Sequence, residues 1–358
     1  MVVSETTGER PSAIYGTEGV FLMTNYDKPF LTYKQMIEKM KSRNVIIEDE
    51  DFAVKALKNC SYYTLMNGYK ETFCSSPAVD NFYVGTQLEE LFTMHTIDRN
   101  LGSILLKNIL HIEQSLKSSV SYIVSQNYGV YASSVSTSSN ANDYLHRGNY
   151  SKGRADRNNT IAKLRSILDI KSNGYKSPSL KHYAKNHNHI PAWILTTSMT
   201  LGETSKWYDI LKKDDKTWVC NSIISNDILD IQSKKEYLRC ALKILRQFRN
   251  AIAHGGRVYL EFGNIEIPKD GIVALSNGVV TADEYDKNRQ ARTGLHAVIG
   301  IIFSLLNDRY LQRYLFRDFL YLLDDYQEVT IHAKSVPEIL SLPKNIANRL
   351  FLAINSGG

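Results

Sequence analysis

The stretch from residue 86 to residue 128 carries apolar side chains at helical spacing over its whole length. Leu88, Leu91 and Phe92 begin the pattern, and it continues with Ile104, Leu105, Ile109, Ile112, Leu116, Val120 and Ile123. Residues three and four apart share one face of an α-helix, so the stretch predicts one long helix, or two if Gly102 breaks it. Gly129 lies where a helix C-cap belongs. The chain is therefore expected to be organised around helices.

Shorter helical patterns surround this stretch. Thr32 is a good N-cap for a helix bearing Met36 and Met40, and Asp49 or Glu50 opens the next one. Further helices are expected over residues 158–168, 234–253, 282–306 and 310–323. Residues 257–281 alternate instead and contain two Gly/Asn turns, which predicts a short hairpin. The predicted fold class is mostly α, with a small β hairpin insertion.

The same patterns divide the chain into four parts. We predict a polar leader at 1–28, an N-terminal helical module at 29–80, a helical core at 81–310 and C-terminal helices at 311–358. Hydrophobic residues make up 43% and charged residues 22%, as in soluble globular proteins. The sequence contains no run of about 18 apolar residues, so no membrane span is predicted. The first residues lack the apolar core of a signal peptide, so the cytoplasm is the expected location.

Cysteine and histidine spacing gives little support for a metal or a cofactor, and none is predicted. Cys60, Cys74, Cys220 and Cys240 are scattered and are interpreted as reduced, structural thiols. His182, His187 and His189 form the only histidine-rich patch. It is compatible with a metal site, but a polar loop before Pro191 is the favoured interpretation.

The net charge of +6 permits a polyanionic partner, and the distribution of charge is more informative. Residues 144–185 are basic and contain four interleaved tyrosines, a pattern that suits a phosphate backbone with some base stacking. The residues predicted to bind RNA are Arg147, Lys152, Arg154, Arg157, Lys163 and Arg165. An ordinary solvated helical face is the alternative interpretation.

The segment RQFRNAIAH, residues 246–254, places three chemically distinct side chains at one helix end. Asn250 and His254 are four residues apart and share a face, and Arg249 can curl toward the same terminus. An imidazole can exchange the proton of a ribose 2′-OH or of the leaving oxygen. A guanidinium suits the charge that builds on the phosphorane, and the amide can orient the imidazole. The pattern predicts RNA cleavage without a metal.

One copy of the segment supplies one histidine, whereas in-line transfer needs an acid and a base. We therefore predict a homodimer whose active site is shared across a two-fold interface. The alternative is that Arg249 and His254 cap helix carbonyls and complement the helix dipole. A looser match, Arg289 with His296, lacks the asparagine after the arginine and is interpreted as chance.

The segment RNAIAH resembles the Arg-Asn-x-x-x-His motif of the HEPN superfamily, which includes ribonucleases. The resemblance extends to AbiD/AbiF-like abortive-infection proteins through the KPFLTY start at Lys28, the SYYTLMNGY element, the long central stretch, Pro191-x-Trp193 and the closing PKNIANR. Asn67 before Gly68-Tyr69 is a slight departure from their spacing. The similarity is strong over residues 28–260 and weak beyond.

The resemblance implies a HEPN-type helical bundle and anti-phage defence by RNA cleavage, with a structured non-coding RNA as a regulatory partner in some AbiF-like relatives. It also implies a supporting role for Glu113 and Lys117, which match a Glu followed by a basic residue. Glu113 would then orient His254 or Arg249. An ordinary intrahelical ion pair is the alternative.

Two other functions compete with a ribonuclease. A HEPN domain can bind RNA or nucleotides without cutting, in which case Arg249 and His254 hold a phosphate or a dimer contact. The chain could instead block a phage enzyme as an interaction protein, with the segment serving as a structural cap. Toxicity on expression that survives His254→Ala would favour the binding module. For the interaction protein, Arg249→Ala would lower the melting temperature without changing any nucleic-acid phenotype.

Overall fold

A computed structural model describes residues 28–76, 78–134, 140, 142–153, 156–169 and 177–355. These residues are mostly helical, which confirms the predicted fold class. The predicted polar leader lies outside them except for its last residue. No helix of the described chain is both long enough and apolar enough to cross a membrane.

Helices α1 to α17 are numbered in chain order through the described residues. Their bounds are Tyr33–Lys41, Glu50–Asn59, Tyr62–Gly68, Lys70–Phe73, Leu88–Tyr128, Arg157–Leu168, Pro178–Asn186, Ala192–Leu195, Leu201–Ile210, Lys213–Ile223, Ile231–Ala253, Lys269–Leu275, Ala282–Lys287, Leu295–Leu305, Arg309–Asp325, Val336–Ile339 and Ile346–Asn355. Short 3-10 helices lie at Arg147–Asn149, Thr196–Ser198, Val258–Leu260 and Arg289–Ala291. Strands β1 (Thr330–Ile331) and β2 (Lys334–Ser335) form an antiparallel pair.

The long helix α5 spans 41 residues without a break, roughly 60 Å at 1.5 Å per residue. Glu90 closes a capping box at its start, and Gly129, with φ of +81°, ends it as predicted. Gly102 is a site of close approach instead of a break. A Cβ there would lie 3.4 Å from Val258 and 3.5 Å from Ile252, so the missing side chain lets a neighbouring segment approach.

In the described chain, seven of the other helices pack against α5, namely α3, α8, α9, α10, α11, α14 and α15. Helix α10 runs antiparallel to it, because Asp215 near the start of α10 accepts hydrogen bonds from Asn127 and Tyr128 while Ser222 near its end reaches Ser119. The N-terminal helices share the same hydrophobic core.

The predicted starts of the early helices are confirmed. The Thr32 hydroxyl accepts from the Gln35 amide, and the Asp49 carboxylate accepts from the Phe52 amide. All four cysteines are free and buried, and burial raises the pKa of each thiol. Cys220 is an example, with a pKa of about 11.

The hairpin predicted at residues 257–281 is wrong, because this segment forms a 3-10 helix and α12. Two of its amides bond to distant elements: the Val258 amide donates to the Asp98 carboxylate, and the Gly263 amide donates to the Thr293 carbonyl. The apolar residues that suggested alternation bury against helices. The hairpin of the described chain is the short β1–β2 pair, turned by His332 and Ala333 with positive φ.

Candidate active site at the end of the motif helix

Helix α11, called the motif helix below, carries Arg249 and Asn250 near its end, and His254 follows it as the C-cap. Asp230 caps its start by accepting from the amides of Gln232 and Ser233 at 2.8 and 3.1 Å. One face is buried: Tyr237, Leu238, Ala241, Leu242, Ile244, Leu245 and Phe248. The predicted helix over 234–253 is confirmed, with its last residue at Ala253.

The end of the motif helix is closed by backbone hydrogen bonds. The Gly255 amide donates to the Ile252 carbonyl at 3.1 Å, and the Gly256 amide donates to the Ala251 carbonyl at 2.7 Å. Gly255 has φ of +73°. This pair of bonds around a left-handed glycine is a Schellman motif, which satisfies helix carbonyls without side chains.

Replacing Gly255 by alanine should lower the free energy of unfolding by about 1 kcal/mol, because a Cβ is strained at positive φ. Thermal and urea unfolding measure the change. Gly153→Ala is the matched control, since Gly153 has open space around the position of a Cβ and no positive φ. Equal stability of the two variants would contradict a constrained helix end.

The three predicted catalytic residues lie at this end: Arg249 and Asn250 are among the last five residues of the helix, and His254 is its C-cap. Asn250 and His254 are exposed, and Arg249 is half-buried. Throughout the described chain none of the three side chains makes a hydrogen bond or ion pair, and the Nε atom of Arg249 is buried without a partner. Side-chain capping therefore does not account for them, because the glycine motif already serves the carbonyls.

A buried carboxylate anchors the loop that follows the motif helix. Asp98 of α5 is fully buried and accepts from the Val258 amide at 2.8 Å and from Arg99 at 3.1 Å. The same guanidinium nitrogen of Arg99 donates to the Gly256 carbonyl. Asp98 and Arg99 thus connect the long helix directly to the residues that end the motif helix.

The N-terminal helices reach the same loop. Arg257 donates to the carbonyls of Thr64, Gly68 and Gly255 at 3.0 to 3.1 Å, and its guanidinium lies 5.3 Å from the centroid of the Tyr69 ring. The Tyr69 hydroxyl lies 3.0 Å from Nδ1 of His95, whose pKa is lowered by burial and by the charge of Arg99. The loop after the motif helix is therefore held by α5 on one side and by the N-terminal helices on the other, and arginines surround it.

Sequence reasoning missed these anchors, although one signal was present. Asp98 is an acid inside the apolar stripe of α5, seven residues after Leu91 and seven before Leu105. A carboxylate at such a position is buried and requires partners. Arg99 and Arg257 had no comparable signal, since their roles depend on contacts between distant segments.

A stripe of cations leads along the exposed side of the motif helix to the site. Arg246, Asn250 and His254 follow at intervals of four residues, and Lys243 and Arg239 continue the line toward the helix start. Lys243 is exposed, whereas Arg239 pairs with Glu236. Only the end of this stripe was recognised from the sequence, although its spacing was visible there.

A groove of about 420 Å³ joins this stripe to the predicted RNA-binding segment. Lys163 of α6, Lys206 of α9 and Arg246 line it, together with two acids, Asp156 and Glu203, the second of which lies 3.8 Å from Lys163. Gly202 makes room for Arg246, because a Cβ there would lie 3.0 Å from its Cδ. The groove brings part of the predicted RNA surface next to the motif helix.

The other predicted RNA-binding residues differ in their surroundings. Arg147 and Lys152 are exposed, Arg157 is half-buried, and Arg154 lies outside the described residues. The prediction that Arg165 binds RNA is wrong, because this residue is only 3% exposed. Its guanidinium pairs with buried Asp143 at 2.8 Å and donates to the Leu145 carbonyl at 3.0 Å, so it holds the fold together and offers no surface to RNA.

Glu113 and Lys117 form a largely buried ion pair at 2.7 Å. Glu113 is not bonded to Arg249, Asn250 or His254. It lies eleven residues beyond Gly102, where Ile252 packs, a separation of about 16 Å along α5. The structure thus shows the intrahelical ion pair, and it shows no contact through which Glu113 would orient His254 or Arg249.

The remaining histidine signals do not form a second site. His296 of the looser match is fully buried, its Nε2 lies 2.8 Å from the Val279 carbonyl, and burial lowers its pKa. The rings of His182 and His187 lie 5.7 Å apart in an exposed patch. Among the described residues, no three His, Cys, Asp or Glu side chains are grouped so that they could hold a metal ion.

Comparison with known proteins adds one finding. A family model described as "Abi-like protein" matches residues 55–260, more than half of the chain. The matched region starts in α2 and ends just beyond the motif helix, so it contains the whole candidate site. No curated protein and no solved structure matches the chain.

Proposed function

Because the chain belongs to the Abi-like family, which connects it with abortive infection as a phage defence, we propose that it is a metal-independent endoribonuclease. The observation that supports the proposal is the end of the motif helix. Among the described residues, the side chains of Arg249, Asn250 and His254 have no hydrogen-bond or ion-pair partner, while the amides of Gly255 and Gly256 satisfy helix carbonyls. Asn250 and His254 are exposed and can contact a substrate, and the half-buried Arg249 lies beside them in the sequence.

The proposed reaction is attack of a ribose 2′-oxygen on the adjacent phosphorus. His254 accepts the 2′-OH proton as the O2′–P bond forms, and the P–O5′ bond breaks. A second acid protonates the leaving 5′-oxygen, which gives a 2′,3′-cyclic phosphate and a 5′-hydroxyl. Arg249 stabilises the extra negative charge on the phosphorane, and Asn250 orients the imidazole or a phosphate oxygen.

The second acid is proposed to be His254 of another copy of the chain. A homodimer with the two motif helices facing each other places one imidazole on each side of the phosphate. The exposure of Asn250 and His254 leaves this helix end accessible to such a partner. A HEPN-type bundle and control by a bound non-coding RNA are parts of the same proposal.

RNA is proposed to approach along the motif helix and the groove beside it. Lys163, Lys206 and Arg246 bind phosphates there, and the strand continues to Asn250 and His254. Arg246 forms no ion pair within the part of the chain that the structure describes. Its charge is therefore free for a polyanion.

Arg246→Gln should weaken binding of single-stranded RNA about fivefold at 0.1 M salt and reduce the salt slope by about 0.7, as expected for one lost phosphate contact. Fluorescence anisotropy in a His254→Ala background avoids cleavage during the measurement. Arg292→Gln is the control, because Arg292 already pairs with Glu266 at 3.3 Å. Equal loss in both variants would contradict a specific RNA path.

A direct assay tests the reaction itself. Purified full-length chain, washed at high salt to remove bound nucleic acid, is incubated with labelled RNA in EDTA. We expect fragments whose 5′ ends accept phosphate from a kinase without prior dephosphorylation. RNA that stays intact would contradict the ribonuclease, and binding without cleavage would favour the alternative, a non-catalytic RNA-binding module.

A further inference from the structure

The C-terminal helices form a second surface, outside the region that the family model matches. Helix α15 carries Arg309, Arg313 and Arg317 at intervals of four, with Tyr310 and Tyr314 next to the first two. Helix α17 packs against α15 and contributes Phe351. Side chains three and four residues apart lie together on a helix, so arginines and aromatic rings alternate along one strip.

This strip borders a groove of about 450 Å³ between the two helices. Tyr310 is 67% exposed, Phe351 48% and Tyr314 39%. The rings of Tyr310 and Tyr314 lie 6.0 Å apart at 52°, and Phe316 lies 5.5 Å from Phe351. Large aromatic faces are thus presented to solvent in a concave surface instead of being packed in the core.

The charge of the groove is positive and uncompensated. Arg313 and Arg317 are exposed and pair with no carboxylate in the chain as described, and Arg317 lies 4.5 Å above the Tyr314 ring. The groove-lining residues in the described chain include no Asp or Glu. Asp318 on the same helix pairs with Lys107 of α5 and does not neutralise them.

From this juxtaposition we propose that the groove between α15 and α17 binds single-stranded RNA, with Arg313 and Arg317 on phosphates and Tyr310, Tyr314 and Phe351 stacking on bases. Cations with exposed rings are the combination by which proteins hold single strands. An apolar peptide would use the rings and leave both guanidinium charges unpaired. Only the choice of RNA over DNA rests on the proposed function.

Binding of a labelled single-stranded RNA to the full chain in EDTA tests this inference, in a His254→Ala background. Arg313→Gln with Arg317→Gln should raise Kd about tenfold or more and reduce the salt slope by about 1.4. Tyr310→Ala should raise Kd about tenfold through lost stacking. Thermal melting confirms that each variant remains folded.

Matched controls are available on the N-terminal helices. Lys34→Gln with Lys55→Gln makes the same change in charge at exposed positions, and Tyr63→Ala removes a ring that is 71% exposed. These controls should bind RNA as the parent chain does. Unchanged Kd in the groove variants, or a loss equal to that of the controls, overturns the inference.

The outcome is separable from that of the ribonuclease proposal. Groove variants that lose affinity, in a protein whose wild type does not cleave RNA, support the groove and contradict the catalytic proposal. Cleavage by the wild type, with full RNA affinity in the groove variants, supports catalysis and overturns the groove.

Discussion

Replacing His254 by alanine is expected to lower RNA cleavage by about 10²- to 10⁴-fold, the range that general acid–base catalysis contributes. The imidazole is exposed and forms no bond within the described chain, so its loss removes proton transfer without removing a structural contact. The measurement is the single-turnover cleavage rate with labelled RNA. RNA affinity and the melting temperature should stay close to wild type.

His111→Ala is the matched control, because His111 is an exposed histidine on the surface of α5. It should cleave RNA at the wild-type rate. A His254→Ala protein that retains full cleavage, or that falls no further than the control, would contradict the assignment of His254. If the cleavage rate falls because the variant unfolds, the His254 side chain contributes to stability, which would contradict its lack of structural contacts.

Mixing the His254→Ala chain with wild type tests whether the site is shared. After equal amounts exchange subunits at random, about a quarter of the dimers contain two wild-type chains. If each site needs both imidazoles, activity falls to about a quarter of that of the same total amount of wild type. Activity near one half would show that each chain carries a complete site.

Local signals in the sequence predicted several helix ends, but the single helix expected over 282–306 is wrong, because α13 ends at Lys287 and α14 begins only at Leu295. The caps at Thr32 and Asp49, the C-terminal Gly129 and the motif helix all depend on contacts within a few residues, which the sequence displays directly. The hairpin prediction failed for the opposite reason. The amides of Val258 and Gly263 bond to Asp98 and Thr293, and no local pattern announces partners so distant in the chain.

In the candidate site, too, local features could be predicted from the sequence and contacts between distant segments could not. Arg249, Asn250 and His254 could be proposed from the sequence because their chemistry and spacing lie within one helix and its C-cap. Arg165 was misassigned because a basic segment does not reveal which cation turns inward to Asp143. The sequence signals that Asp98 is buried, but its partners and the role of Arg257 emerge only when three separate segments meet around the loop after the motif helix.

Asp98→Ala is therefore expected to destabilise the chain by about 3 kcal/mol or more. The substitution leaves the Val258 amide without an acceptor and the Arg99 guanidinium without its counter-ion, and breaking such a buried pair costs about 3–5 kcal/mol. Because the Arg99 side chain is 33% exposed, the lower end of that range applies. Urea unfolding of the full chain measures the change.

The effect should extend to the site, because Arg99 holds the Gly256 carbonyl two residues beyond His254. Cleavage by Asp98→Ala should fall even at temperatures where the variant remains folded. Asp283→Ala is the matched control, since Asp283 pairs with Lys287 on the surface and is 71% exposed. If both variants unfold at the wild-type urea midpoint, Asp98 does not anchor the loop, and the bracing of the helix end must come from Arg257 and the glycine motif alone.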